Sequence, residues 1–157
     1  MFRLNNLPEA LAPKQGVVIQ EPKILEVSNN RVYFYTDIDR GSVLTLNRNL
    51  RDLSANHLTE AQIKGLDKPA SIRLHINSFG GSIFAGLAAM DEIRNINEHV
   101  EIHTIIDGCA ASAATFLSVV GYRRSINRHA FMLIHQLSSV MWGKYEEFKD
   151  EMANLDK

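Results

Sequence analysis

One cysteine, Cys109, is all that the 157-residue chain contains, so no disulfide can form within it. That excludes a cystine-stapled scaffold and fits a reducing compartment. No apolar run approaches the length of a membrane-spanning helix. Ala10-Leu11-Ala12 echoes a signal-peptidase site but lacks the apolar segment that must precede one. Charge of one sign is also missing: the formal net charge is -1, which removes the electrostatic case for nucleic acid or an anionic membrane. Arg123, Arg124 and Arg128 make one basic cluster, with no aromatic platform beside it, and read as a solvated turn. Proline is scarce, and Pro8, Pro13 and Pro22 all interrupt the N-terminal stretch, so residues 1–22 read as an arm, with a strand at Val17–Gln20. Internal repeats and low-complexity segments are absent. What remains is 45% hydrophobic and 22% charged, enough for one globular domain with a sizeable core.

Strand and helix patterns alternate after residue 22. Arg31–Ile38 is rich in β-branched and aromatic residues and predicts a strand. Asp39 and Ser42 are N-cap candidates for a helix whose stripe is Val43, Leu46, Leu50 and Leu53. Residues 54–69 read as a polar connection, with a short helix opened by a Thr59/Gln62 capping box. Ser71–Asn77 alternates as a strand, 78–82 is a turn, and Ile83, Leu87, Met90 and Ile93 mark a helix to about Asn97. Val100–Ile106 is the next strand. Gly108–Ser112 then forms a tight turn of small residues before a helix over Ala113–Val120. A short strand or turn at Arg123–Asn127, a strand at Ala130–His135 and a charged helical run at Lys144–Lys157 follow. Such alternation predicts βαβ units with right-handed crossovers and an α/β fold with a mostly parallel sheet.

Two of the turns carry chemistry. Ser112 would stand where a strand hands over to a helix, among backbone N–H groups without partners. A serine there serves either as an N-cap or as a nucleophile whose developing charge meets donors already in place. Gly80-Gly81 follows the preceding strand and reaches the same sheet edge. Without a Cβ, Gly81 lets a main-chain N–H approach a bound group; paired with the N–H of Ala113, it would make an oxyanion hole. The alternative is a plain turn with a helix cap, or an anion nest. Of six histidines, His135 alone ends a strand at that edge, which makes it the best-placed general base. No histidine pair has zinc spacing with Cys109, so no metal is expected, and Cys109 reads as a small buried filler.

Ile76-Asn77-Ser78-Phe79-Gly80-Gly81-Ser82 resembles the Ile-Asn-Ser-Pro-Gly-Gly-Ser segment of the ClpP family of self-compartmentalised serine peptidases. Gly108-Cys109-Ala110-Ala111-Ser112 resembles that family's nucleophile turn, and Met132-Leu133-Ile134-His135-Gln136 its Met-Ile-His-Gln segment. The three occur in the family's order. The resemblance implies a ClpP/crotonase-type spiral of ββα units across residues 23–157, with the arm 1–22 in the position of an axial gate. It implies Ser112 as nucleophile, His135 as general base, and Gly81 and Ala113 as the oxyanion hole. A substrate peptide would lie extended between Gly81-Ser82-Ile83 and Leu137-Ser138. No cofactor or metal is implied. The partners implied are further copies of the chain in two stacked heptameric rings, an ATP-driven unfoldase of the Clp type and unfolded polypeptide; the cytoplasm is expected from the lone cysteine and the missing apolar segments, not from the resemblance.

The chain departs from the pattern at Phe79 and Leu137, where the family has proline, and in a slightly shorter spacing from Ser112 to His135. The family's third catalytic residue is an aspartate beyond a long helix. This chain holds no assignable counterpart: Asp150 and Asp156 lie in the charged run and read as solvated surface. The expectation is a truncated polypeptide, lacking the C-terminal part of the domain, weakly active and incompletely assembled. Two other readings stand beside a serine endopeptidase. One is a catalytically silent structural subunit of such a barrel. The other is a crotonase-like acyl-CoA enzyme, against which the Ser112/His135 pair argues. A membrane-bound signal-peptide peptidase would need an anchor that the sequence does not show.

Overall fold

The computed structural model describes residues 24–136. The arm 1–22, Leu137, Ser138 and the run Lys144–Lys157 lie outside the described residues. Two strands, β1 (Ile24–Ser28) and β2 (Arg31–Tyr35), form an antiparallel hairpin turned by Asn29, whose φ of 55° is one that Asn tolerates better than most residues. Helix α1 (Arg40–Lys64), β3 (Ile72–Ser78), α2 (Ile83–Asn97), β4 (Ile102–Ala111), α3 (Ala114–Val119), β5 (Arg123–Ile126) and β6 (Phe131–Leu133) follow. The sheet order is β1-β2-β3-β4-β5, with β6 also on β4, and every pairing except β1–β2 is parallel. The architecture is therefore the mixed α/β sheet that the sequence predicts.

Strands β2, β3 and β4 are laid down in one direction across the sheet. Right-handed crossovers then put α1 and α2 on the same face. Val32, Phe34, Leu74, Ile76, Ile102 and Ile106 point to that face and pack against Val43, Leu46 and Leu50 of α1, Ala89 and Ile93 of α2, and Leu117 of α3 in one core. The alternate side chains, among them Tyr33, Tyr35, His75, His103 and Asp107, are half-buried on the opposite face.

Two sequence expectations are corrected. Residues 54–64 are not a connection but the second half of α1. The buried stripe continues from Leu50 through Ser54, His57 and Ala61 at steps of four, three and four. These residues are small or polar, so apolar periodicity does not register them. His57 Nδ1 meets the Ala70 carbonyl at 2.8 Å, which satisfies the ring where it is buried. Thr59 caps nothing; its hydroxyl donates back to the Ala55 carbonyl within the helix. Asp39 is the N-cap, and Ser42 completes a reciprocal capping box with it. At the other end Gly65, with φ 64°, closes the helix, and the Leu66 N–H bonds to the Ala61 carbonyl.

The second correction concerns Gly108–Ala111, which is the end of β4 and not a turn. Cys109, Ala110 and Ala111 pair with Phe131, Met132 and Leu133 of β6. β4 thus carries β5 on its first half and β6 on its second, along one edge. β6 is shorter than expected, and His135 lies two residues beyond its end.

Candidate active site

Ser112 immediately follows β4, with a φ of 52°. For a serine that is a strained conformation, costing on the order of 1–3 kcal/mol, and it persists only where its surroundings enforce it. They do so here from three sides. The Ser112 N–H donates to the Leu133 carbonyl at the end of β6, at 2.9 Å. Its carbonyl accepts from the Thr115 N–H at 3.0 Å and the Thr115 hydroxyl at 2.6 Å. Gly80 presses on it from the turn after β3: a Cβ there would stand 2.8 Å from Ser112 Cβ and 2.6 Å from the Ala111 carbonyl oxygen. Ser112 is not the cap of α3. Ala113 holds that position, with no side-chain hydrogen bond. Among the described residues the Ser112 hydroxyl has no hydrogen-bond partner.

The Gly80-Gly81 turn is fixed from the far side of the sheet edge. Ile38 N–H donates to the Gly80 carbonyl at 2.7 Å, and Ser82 N–H to the Ile38 carbonyl at 2.8 Å. This bracket is an isolated parallel bridge between Ile38 and Gly81, so the Gly81 main-chain groups point away from Ile38. Gly80 and Gly81 have φ of 100° and 142°, and a Cβ on Gly81 would run into the Ile38 carbonyl. Ser82 caps α2, accepting from the Ala85 N–H at 3.3 Å. Gly81 and Ser82 are exposed and Ile83 is half-buried. Neither the Gly81 nor the Ala113 N–H donates to a protein acceptor among the described residues.

His135 is exposed and follows β6 onto the same edge. Its Nδ1 lies 2.6 Å from the Gln136 carbonyl. A carbonyl only accepts, so Nδ1 carries the hydrogen and Nε2 is left as the basic nitrogen of the neutral ring. The structure brings Ser112, Ala113, Gly80, Gly81 and His135 to one sheet edge through β3, β4 and β6. It does not join Ser112 to His135 by a hydrogen bond. Leu137 and Ser138 lie outside the described residues. Cys109, three residues before Ser112, is buried, and burial pushes its thiol pKa up, which keeps it protonated and unreactive.

A polar cluster on the opposite sheet face escaped the sequence reading. Asp107 Oδ2 accepts from the Tyr35 hydroxyl at 2.5 Å and meets His75 Nδ1 at 2.9 Å, while Oδ1 accepts from Asn127 Nδ2 at 3.0 Å. Tyr33 stacks on His75 at 4.8 Å. These residues tie β2, β3 and β4 to Asn127 just beyond β5, and only alternation within the strands hinted that they share a face. Among the described residues no group of three or more His, Cys, Asp or Glu side chains gathers in a way that could hold a metal ion, and no helix is long and apolar enough to cross a membrane.

The chain was compared with known proteins. The family model described as Clp protease matches residues 27–157. An ATP-dependent Clp protease proteolytic subunit 1 of Prochlorococcus marinus is 34% identical over 123 residues, which cover 73% of this chain and 62% of that protein. An ATP-dependent Clp protease proteolytic subunit of Bacteroides fragilis is 36% identical over 144 residues, covering 88% of this chain and 67% of the relative. The corresponding subunit of Mesostigma viride is 32% identical over 136 residues, covering 84% and 58%. The chain therefore spans about three fifths of the length of several curated relatives that it matches. With the family match running over nearly all of the described sheet, the chain belongs to the Clp protease family.

Proposed function

We propose that the chain is a serine endopeptidase subunit of a ClpP-type barrel, hydrolysing peptide bonds of unfolded polypeptides through an acyl-enzyme. The strained Ser112, set beside two N–H groups that donate to no described protein acceptor and one short loop from His135, is the observation that carries this reading. Ser112 Oγ attacks the scissile carbonyl carbon while His135 Nε2 takes its proton. The N–H groups of Gly81 and Ala113 receive the oxyanion. Collapse of the tetrahedral intermediate expels the amine, which takes the proton back from His135, and water releases the acyl group by the same steps in reverse order. The substrate lies extended along Gly81-Ser82-Ile83, with Leu137-Ser138 on its other side.

No acid is assigned to orient His135. The Gln136 carbonyl holds Nδ1–H in this structure and supplies the tautomer, but not the negative charge that would stabilise an imidazolium. Removing that charge from a Ser-His-Asp triad costs on the order of 10⁴ in turnover. By family membership the subunit would assemble in rings with copies of itself and receive chains from a Clp-type ATPase; the lone cysteine supports a reducing compartment such as the cytoplasm.

A fluorophosphonate should label Ser112, and Ser112→Ala should abolish the labelling. Failure to label under any condition, including in the assembled oligomer, would overturn the reading. The carbonyl partner at His135 Nδ1 favours a second reading, a silent structural subunit. Co-purification with an active paralogue and no labelling of Ser112 would select it.

A further inference from the structure

We infer that Asn77 is a positioning residue that sets the height and direction of Ser112 by holding a bulge in β4. β3 and β4 run in register from Ile72↔Ile102 to Ile76↔Ile106, and the next pair is Ser78↔Ala110. β4 therefore spends four residues where β3 spends two. A bulge of this kind bends a strand and leaves main-chain groups without ladder partners. Here the Asn77 Oδ1 accepts from the Cys109 N–H at 3.1 Å, a side-chain carbonyl standing where the β3 main chain would otherwise serve. Gly108 makes room for it: a Cβ at 108 would lie 2.8 Å from Asn77 Oδ1 and 3.1 Å from its Cγ. On the other side Asn127 N–H donates to the Ile106 carbonyl, so the first half of β4 is pinned to the end of β5. Across the bulge, β4 changes its partner from β5, which pairs as far as Ile106, to β6, which pairs from Cys109. Ser112 stands three residues beyond the Asn77 bond. The bulge fixes how far the chain has advanced when it reaches the left-handed turn, and hence where Oγ stands relative to Gly81 and the β6 end.

This rests on the proposed role of Ser112, and two readouts on the full chain keep the two claims apart. The first is the rate of fluorophosphonate labelling. Asn77→Ala should lower it roughly tenfold or more, since small misplacements of a reacting group carry such penalties. Gly108→Ala, which displaces the amide, should do the same. Asn77→Asp keeps an acceptor at the same reach and should restore most of the rate. The second readout needs no activity. The thiol of Cys109 is buried, and its reaction with a disulfide reagent in the folded protein should accelerate in Asn77→Ala and Gly108→Ala but not in Asn77→Asp. Wild-type labelling and thiol rates in Asn77→Ala would overturn the inference. If the wild-type chain does not label, the proposed function falls, and the thiol rates alone decide whether Asn77 holds the bulge.

Discussion

At the scale of single residues, the site is assembled from conformations that the side chains concerned would not choose freely. Ser112 holds φ 52° against its own preference. Replacing it by glycine removes that strain, so Ser112→Gly should raise unfolding stability by about 1 kcal/mol while ending fluorophosphonate labelling. Urea unfolding of the two proteins checks this. Gly81 is the converse, because a Cβ there meets the Ile38 carbonyl and the φ of 142° is foreign to other residues. Gly81→Ala should cost on the order of 2 kcal/mol or more and lower labelling as well.

Tyr35 offers a pH-dependent test. Burial and the hydrogen bond to Asp107 raise the pKa of its phenol well above the ordinary value. The folded state thus favours the neutral phenol. Its contribution is complete below the unfolded pKa of about 10 and is lost as pH rises from there toward the folded value. Wild-type stability should decline through that alkaline range. Tyr35→Phe should be less stable by about 1 kcal/mol at neutral pH and show a smaller alkaline decline. Thermal melts across the pH series read both effects.

At the scale of elements, α1 illustrates which forces hold the layer of helices to the sheet. Leu50 is fully buried against the sheet, whereas its neighbour Arg51 reaches across the surface to Glu92 of α2 with two hydrogen bonds, at 2.7 and 2.5 Å. Leu50→Ala should cost about 2–5 kcal/mol, because a cavity remains where the side chain was. Arg51→Ala should cost much less in the same unfolding measurement, since Arg51 is exposed to solvent although Glu92 is half-buried. Helix α1 was legible at its N-terminus: Asp39 and Ser42 stand out as N-cap residues in the sequence. Its length was not, because the buried stripe passes through Ser54, His57 and Ala61, whose burial depends on the neighbouring sheet and the Ala70 carbonyl. β4 was misjudged for a related reason. Gly108, Ala110 and Ala111 have low strand propensity, but Gly108 leaves room for Asn77, and Gly80 packs against Ala111 and Ser112.

At the scale of the whole molecule, order is graded from the centre of the sheet to its β6 edge. β3 and β4 are covered by helices and flanked on both sides, while all three residues of β6 are exposed. Local opening free energies follow such differences. Native-state hydrogen exchange should show amides of Leu74–Ile76 and Thr104–Ile106 protected to the global limit. Amides of Phe131–Leu133 should exchange through smaller openings. Because Ser112 is anchored to Leu133, ligands or subunit contacts that slow exchange in β6 should also raise labelling at Ser112.

The sequence alone determined the alternation of strands and helices and the N-terminal cap of α1. Its three motifs, in order, determined the family, because these features depend on neighbours a few residues apart. The left-handed backbone of Ser112, the bracket of Ile38 around Gly81, and the place of Asn77 in the β4 bulge were decided only by the tertiary structure. Each depends on contacts between strands distant in sequence: Ile38 against Gly81, Leu133 against Ser112, Asn77 against Cys109. No local pattern records such contacts, since the register between parallel strands is set by the packing of the whole sheet.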